Sequence, residues 1–456
     1  TTVTYSQSSM NDWRVHFSVN STVGIANNTN SVFMATANGL VKYDTEDKSI
    51  SSLTVTNGLS DLNVTAIGDN GDIVIIGYVN GNLDVLKENR IINVPWIKKA
   101  QISGSKTINS FFFSENRIFI SCNIGIVIYD IEKNEIEDTY YPYLNSVVND
   151  VAIFNDSIYV ATDQGIYNAH KDQSYLNDIN QWKKKEDLPN GINNGKISSI
   201  ETHNDRLYFI LDSEIFQEDS LFYLTTSNEL LNYYTEPVSL IGLNSKENKL
   251  LIVRYGSLEV LDELHHQDIV IFDYTFGVAP KLKGATYFDD TYWIADKSNG
   301  MIKASNSWNN SQIFSNSPAT DGCYRMDIQY GNVLVAGGGI THNTLNNYFR
   351  NGAYLFRDET WTNFNAATQD EIGDTLWDVI CASINPNNVD QMAFGSYSKD
   401  GLKIINGNKT VTETYTSNNS TLEYQTGNGN THIISDLKYD ANGNLWVINQ
   451  GTEPLK

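Results

Sequence analysis

The 456-residue chain carries 31 Lys and Arg against 54 Asp and Glu, a net charge of −23. That excess excludes a nucleic-acid binder, which needs basic patches to displace counterions from phosphate, and docking on anionic lipid through a polybasic face. Only 19% of residues are charged, so the chain is not charge-driven disorder, and 26 Tyr and 18 Phe beside 8 Pro favour strands over helices.

From the N-terminus, residues 1–11 are polar and read as a loose arm, equally compatible with a processed secreted chain and with a cytosolic one. No basic-then-apolar leader opens the sequence, and no run of 18 apolar residues provides a membrane span. Residues 23–44 then read as strand, polar turn, strand, Gly turn, and a third strand ending in Tyr43-Asp44. The pattern returns at 64–86, 108–130, 148–168, 197–216, 238–262 and 282–303. A period of roughly 40–45 residues with short β-branched and aromatic strands is the signature of a propeller blade. No segment of helix length keeps apolar residues at i, i+3, i+4 and i+7, which excludes helical solenoids.

The expected fold is all-β, a seven-bladed β-propeller followed by the first blades of a second. The boundaries are an arm over 1–11, the first propeller over 12–320 and part of a second over 321–456, with the linker at Ser315-Asn-Ser-Pro-Ala-Thr-Asp-Gly322. An eighth unit (324–356), a ninth (378–406) and the start of a tenth (433–449) cannot close a ring of four to eight blades. The natural protein is therefore expected to continue past Lys456. Outer strands are marked by a Trp leading to an aromatic residue: Trp13–Phe17, Trp308–Phe314 and Trp361–Phe364, with Trp182 heading another. Two of these, Trp13–Phe17 and Trp308–Phe314, compete for the seventh blade, so residues 12–18 belong to either ring.

The acidic and Asn pairs Asp69-Asn70, Asn155-Asp156, Asn204-Asp205 and Asp289-Asp290 all fall in the turn between the first two strands of a blade. They read as turn chemistry, since these residues tolerate the left-handed region and bond their own backbone. Catalytic acids must instead converge on one point. Asp440-Ala-Asn-Gly-Asn444 resembles the start of a calcium loop but lacks the closing acid at its twelfth position, where Gly451 lies. His265 and His266 are adjacent and cannot easily serve one metal, and their segment reads as an exposed turn. Gly337-Gly338-Gly339 leads into no helix, so it is no phosphate loop. Cys122, Cys323 and Cys381 are too scattered for a disulfide or zinc framework, and each is expected to be a buried free thiol. The expectation is thus no enzyme, no cofactor, no metal and no catalytic residue. The single binding candidate is the aromatic connection Tyr140, Tyr141 and Tyr143, which suits sugar stacking or a partner's side chains. Its bland alternative is packing between neighbouring blades.

Gly39-Leu40, Tyr43-Asp44, Gly58-Leu59-Ser60 and Asn63-Val64 resemble the two-component-regulator propeller repeat, as do Asp440, Gly443, Asn444, Leu445 and Trp446. The opening Asp12-Trp13-Arg14-Val15-His16-Phe17-Ser18, followed by such a blade, is similar to the N-terminus of PorZ-type proteins of the Bacteroidetes type IX secretion system. The resemblance is close over about the first 70 residues. It implies a non-enzymatic cell-surface scaffold in protein secretion and transport. Such a scaffold would help the attachment complex that modifies secreted cargo and anchors it to lipopolysaccharide. Its expected partners are other secretion-system proteins at the outer membrane and, through a C-terminal domain not present in this sequence, lipopolysaccharide. It would sit at the cell surface or in the periplasm, outer-membrane associated, after signal-peptide removal. The alternative is the extracellular glycan-sensing propeller domain of a hybrid two-component receptor.

Overall fold

The computed structural model describes residues 13–88, 90–143, 147–234, 238–342, 345–365, 372, 376–427 and 430–452. The chain divides into two compact units, one built on Asn20–Ser315, the other on His16–Val19 together with Asn316–Lys456.

In the first unit, residues 22–313 form seven sheets, each of four antiparallel strands consecutive in sequence. The first strands are Thr22–Asn27, Val64–Asp69, Ile108–Ser114, Val148–Phe154, Lys196–His203, Leu240–Lys246 and Leu282–Phe288. They stand side by side around a hub, and the seventh lies against the first, so the ring closes. Each blade presents both faces to neighbours, which is why second strands such as Ser31–Thr36 and Ile73–Tyr78 are buried at every residue. The core is accordingly a set of layers between blades. Ile73, Ile75, Leu83 and Val85 of the second blade meet Ile108, Ile118 and Ile120 of the third.

The first and last blades share no strand. Their seam is held by Thr286 Oγ1 donating to Asn27 Oδ1 at 3.0 Å and by Tyr43 against Trp293 at 5.0 Å between ring centroids. Gly284 fits there because a Cβ would lie 3.3 Å from the Gly24 Cα. The turn reading holds at Asn155-Asp156 (φ 44° and 58°) and Asp289-Asp290 (both 52°), where both central residues are left-handed. Gly58 explains the Gly-Leu-Ser motif. Its φ is +146° and a Cβ would meet Ile91 Cδ1 at 2.7 Å. Leu59 then drops into the core and the Ser60 N–H donates to Asp84 at 2.8 Å.

In the second unit the strands of residues 325–364 form a four-stranded sheet, and those of 379–415 and 432–449 form the next, joined by Tyr397 pairing with Ile433. These are the eighth, ninth and beginning tenth repeats. The insertion at 337–352 joins strands Asn332–Ala336 and Ala353–Arg357. Two expectations are corrected. Residues 13–18 form no strand. The Ser18 N–H and Oγ instead bond Asp321 Oδ1 (2.7 Å) and the Ala319 carbonyl (2.9 Å), and His16 sits 4.7 Å from the Phe356 ring. Asn309–Ile313, after Trp308, supplies the seventh blade's outer strand. Cys122 and Cys381 are buried but Cys323 is exposed, because it lies in the loop ahead of strand Arg325–Gln329 rather than inside a sheet.

Candidate functional site

Tyr140 ends the outer strand of the third blade, and the connection it opens runs toward the hub strand of the fourth. Tyr140 lies 6.1 Å from Trp182, and Tyr143 stacks on Tyr167 at 5.5 Å and 8°. Both partners belong to the fourth blade, so these two rings bind the seam between blades. Burial pushes the Tyr140 hydroxyl above its usual range, helped by the Asp138 charge. Tyr141 alone is 40% exposed, lying over Gly125, where a Cβ would meet the Tyr140 carbonyl at 2.6 Å. The structure therefore places the three rings together but offers one of them to solvent.

The hub holds a charged cluster that the repeat pattern did not single out. Asp150 Oδ1 accepts from Ser110 Oγ at 2.8 Å and from the Val151 N–H at 3.0 Å. Its Oδ2 accepts from Ser199 Oγ and the Ile200 N–H, both at 3.0 Å. One carboxylate thus joins the third, fourth and fifth blades. The stitch extends around the ring: Leu243 N–H to Ser199 Oγ (3.3 Å), Asn244 to the Ala285 carbonyl (2.9 Å), Asn27 N–H to Asp69 (3.1 Å) and Thr65 to the Ile108 carbonyl (2.7 Å). Lys246 of the sixth blade reaches across to Asp69 of the second. Asp69 is therefore more than a turn residue. Burial, then the Asp150 charge, pushes the Glu201 carboxyl up to about 8. Burial also raises Asp150 despite its four donors. A charged residue within an otherwise apolar or small-residue hub strand was the signal available, as in Val148-Asn149-Asp150-Val151-Ala152.

Other sequence candidates resolve as structural. His265 keeps only 6% of its side chain exposed and bonds Asp205 at 2.6 Å and the Tyr208 hydroxyl at 3.1 Å, whereas His266 is exposed. The expected exposed turn is thus half a clamp between the fifth and sixth blades. Tyr208 is wholly buried, so this Asp–His–Tyr line presents no accessible nucleophile. Asp440 accepts from the Asn442 and Asn444 N–H groups (2.9 Å each) and from Trp446 Nε1 (3.1 Å). Side-chain bonds from Asn444 and Trp446 hold it down to about 2. Its oxygens serve their own turn. Among the described residues no group of three or more His, Cys, Asp or Glu is arranged to hold a metal, and no helix is long and apolar enough to cross a membrane. A polar cavity of about 320 Å³ lies between the first two blades, lined by Asn28, Ser31, Lys42, Asp44, Asp72 and Lys87 among others.

Residues 32–183 match the family described as TSS9, PorZ, N-terminal beta-propeller domain. The resemblance to PorZ-type proteins expected from the sequence is thereby found over residues 32–183. The structure is similar to that of PorZ of Porphyromonas gingivalis, described as an essential bacterial surface component of the type-IX secretion system, with a TM-score of 0.79 and 19% identity. That likeness covers 96% of this chain and 57% of the PorZ chain, so this chain spans little more than half its length. A computationally designed protein, Ika8, is matched at a TM-score of 0.42 and 11% identity over 65% of this chain and 98% of its own. No curated protein matches.

Proposed function

We propose that this chain is a non-enzymatic propeller scaffold of type IX secretion, associated with the outer membrane at the cell surface. There it would help the complex that modifies cargo and attaches it to lipopolysaccharide. The observation that carries the proposal is the match of residues 32–183 to the secretion-system propeller domain. The chemistry of the hub supports it. Asp150 spends its oxygens on inter-blade hydrogen bonds, and Asp69 spends its own on Lys246 and Asn27. Tyr141 is the residue of the aromatic connection free to meet a partner.

We assign residues 12–320 to the first propeller and 321–456 to part of a second. The division into two compact units supports a split in this region, but it falls after Ser315, and His16–Val19 and Asn316–Thr320 group with the second unit. Met326 and Ile328 on strand Arg325–Gln329, and Trp446 and Ile448 on strand Leu445–Asn449, are exposed apolar residues alternating along their strands. Such faces suit burial against further blades. Lipopolysaccharide contact is expected of a further C-terminal domain rather than of these residues. Deleting the gene in its native host tests the reading. The expected result is cargo that leaves the cell without its lipopolysaccharide anchor, restored by the full-length gene. Normal anchoring, with an altered transcriptional response to glycans instead, would transfer the chain to the sensor reading.

A further inference from the structure

The two rims of the first propeller differ in chemistry. One rim is made by the turns that join first to second and third to fourth strands, and it carries Asp72, Glu115, Asp156, Asp205, Glu247 and Asp289. The other is made by the turns between second and third strands and by the connections between blades. Its most prominent connection runs from the second blade to the third over residues 95–107. Ile97 is buried in the core between those blades and pins a single helical turn, Trp96–Lys99. Trp96 is left 54% exposed, with the Lys99 ammonium 5.9 Å from its ring centroid. Lys106 donates to the carbonyls of Lys98 (2.9 Å) and Ala100 (2.5 Å), and Lys98 pairs with Asp61 at 2.7 Å. The connection is held in one shape before any partner arrives. Leu62, beside Asp61, is exposed, as are Ile102 and Val79, whose carbonyl accepts from Thr107. Lys99 has no carboxylate partner among the described residues.

We infer that Trp96, Lys99, Leu62, Val79 and Ile102 form a docking patch for a protein segment that sets a carboxylate beside apolar side chains. The inference rests on the scaffold reading and names the face that would serve it. Charge complementarity carries it. On a chain of net charge −23, this is a patch where an unpaired ammonium stands among exposed apolar side chains, and the acidic rim turns an acidic partner away. The exposed Trp supplies an anchor of the kind that dominates interface energies. A protein is favoured over an anionic glycan or lipid surface. Trp96 presents one ring on which a sugar could stack, but Leu62, Val79 and Ile102 around it are aliphatic and offer no second stacking face, and one free ammonium is too little to hold a polyanion.

The test uses the full-length protein in its native cells, with a photo-crosslinking amino acid at position 96 and, as control, at position 205 on the acidic rim. The expected result is one protein linked from 96 and not from 205, with the linked peptide containing acidic and apolar residues. Lys99→Glu is expected to lower the yield roughly tenfold while leaving the melting temperature unchanged. If the unnatural residue at 96 disturbs the connection, position 102 gives the same reading. No adduct at either position, adducts only with glycan or lipid, or the same protein captured from 205 overturns the inference. An anchoring defect on gene deletion combined with no adduct sinks the patch and leaves the scaffold reading standing.

Discussion

The same hydrogen-bonded stitch, an Asp bound to the Ser hydroxyl and following N–H of the next blade, occurs in both units, and its two carboxylates, Asp150 and Asp327, differ in charge partner. In the first unit Asp150 takes Ser199 Oγ and the Ile200 N–H from the next blade, and Ser199 in turn accepts from Leu243 of the blade after. In the second unit Asp327 takes Ser383 Oγ at 2.9 Å and the Ile384 N–H at 2.8 Å, and Ser383 accepts from the Tyr439 N–H at 3.2 Å. Only Asp327 adds a cation, Lys438. Burial raises Asp327, but Lys438 and the two donors outweigh it and the carboxyl falls below its ordinary range. Asp150 has the donors without the cation, and burial prevails. Four good hydrogen bonds therefore satisfy a buried carboxylate geometrically without repaying its desolvation.

Removing the stitches gives the largest effects. Asp150→Ala strands two hydroxyls and two backbone N–H groups among three blades, and is expected to cost about 3 kcal/mol. Asp150→Asn keeps the shape and is expected to recover part of that loss, because the residue it replaces is held toward its neutral form. Chemical denaturation of the two variants checks both. Lys438→Met is expected to cost less, up to about 1 kcal/mol, since the Lys438 side chain stays largely in water. Its signature is pH. Asp327 stabilises the fold above its unfolded pKa and loses that contribution as pH falls through its depressed folded value. In the variant this acid loss should begin at higher pH, which a series of melting curves from pH 3 to 6 reads.

Glu201 has the opposite sign. The folded chain binds its proton more tightly than the unfolded one, with a folded value of about 8 against an ordinary 4.5. The contribution of Glu201 to stability is greatest below 4.5 and is lost as pH climbs through 8. Glu201→Gln cannot ionise, so it is expected to leave the melting temperature at pH 5 nearly unchanged. At pH 9 it should raise stability by about 1 kcal/mol, allowing for the water that still reaches the hub. A variant that melts like the parent at both pH values would show that the hub is wetter than its packing implies.

Blade period, strand boundaries and turn residues were legible because each blade repeats one local solution: short, nearly continuous apolar strands, with Asn or Asp where a left-handed residue is needed. Gly58-Leu59-Ser60 was legible as a motif, and the Ile91 contact gives its reason. What stayed hidden depends on closure. Lys246 and Asp69 are 177 residues apart and meet because the ring brings the sixth blade opposite the second. Within its own blade Asp69 is an ordinary turn residue. His265 was misread for the same reason. Its neighbours in sequence are polar apart from the exposed Leu264, and its burial comes from Tyr208 and Asp205 of the adjacent blade. The strand expected at Trp13–Phe17 failed because an aromatic pair marks an outer strand only where a third strand stands free to accept it, and strand Asn309–Ile313 already fills that place in the seventh blade.

The aromatic connection separates packing from recognition within three residues. Tyr143→Ala removes a ring stacked at 5.5 Å on Tyr167 across a blade seam, and is expected to cost about 1 kcal/mol of stability. Tyr141→Ala removes a ring that is 40% exposed and lies over Gly125, so the fold should lose less than about 0.5 kcal/mol. The smaller folding effect makes Tyr141 the cleaner probe. Any loss of cargo anchoring in Tyr141→Ala cells at unchanged protein level must come from a contact made outside the chain, because the fold scarcely uses that ring. Equal melting losses in the two variants would show that Tyr141 is structural as well, leaving the connection no free aromatic to offer.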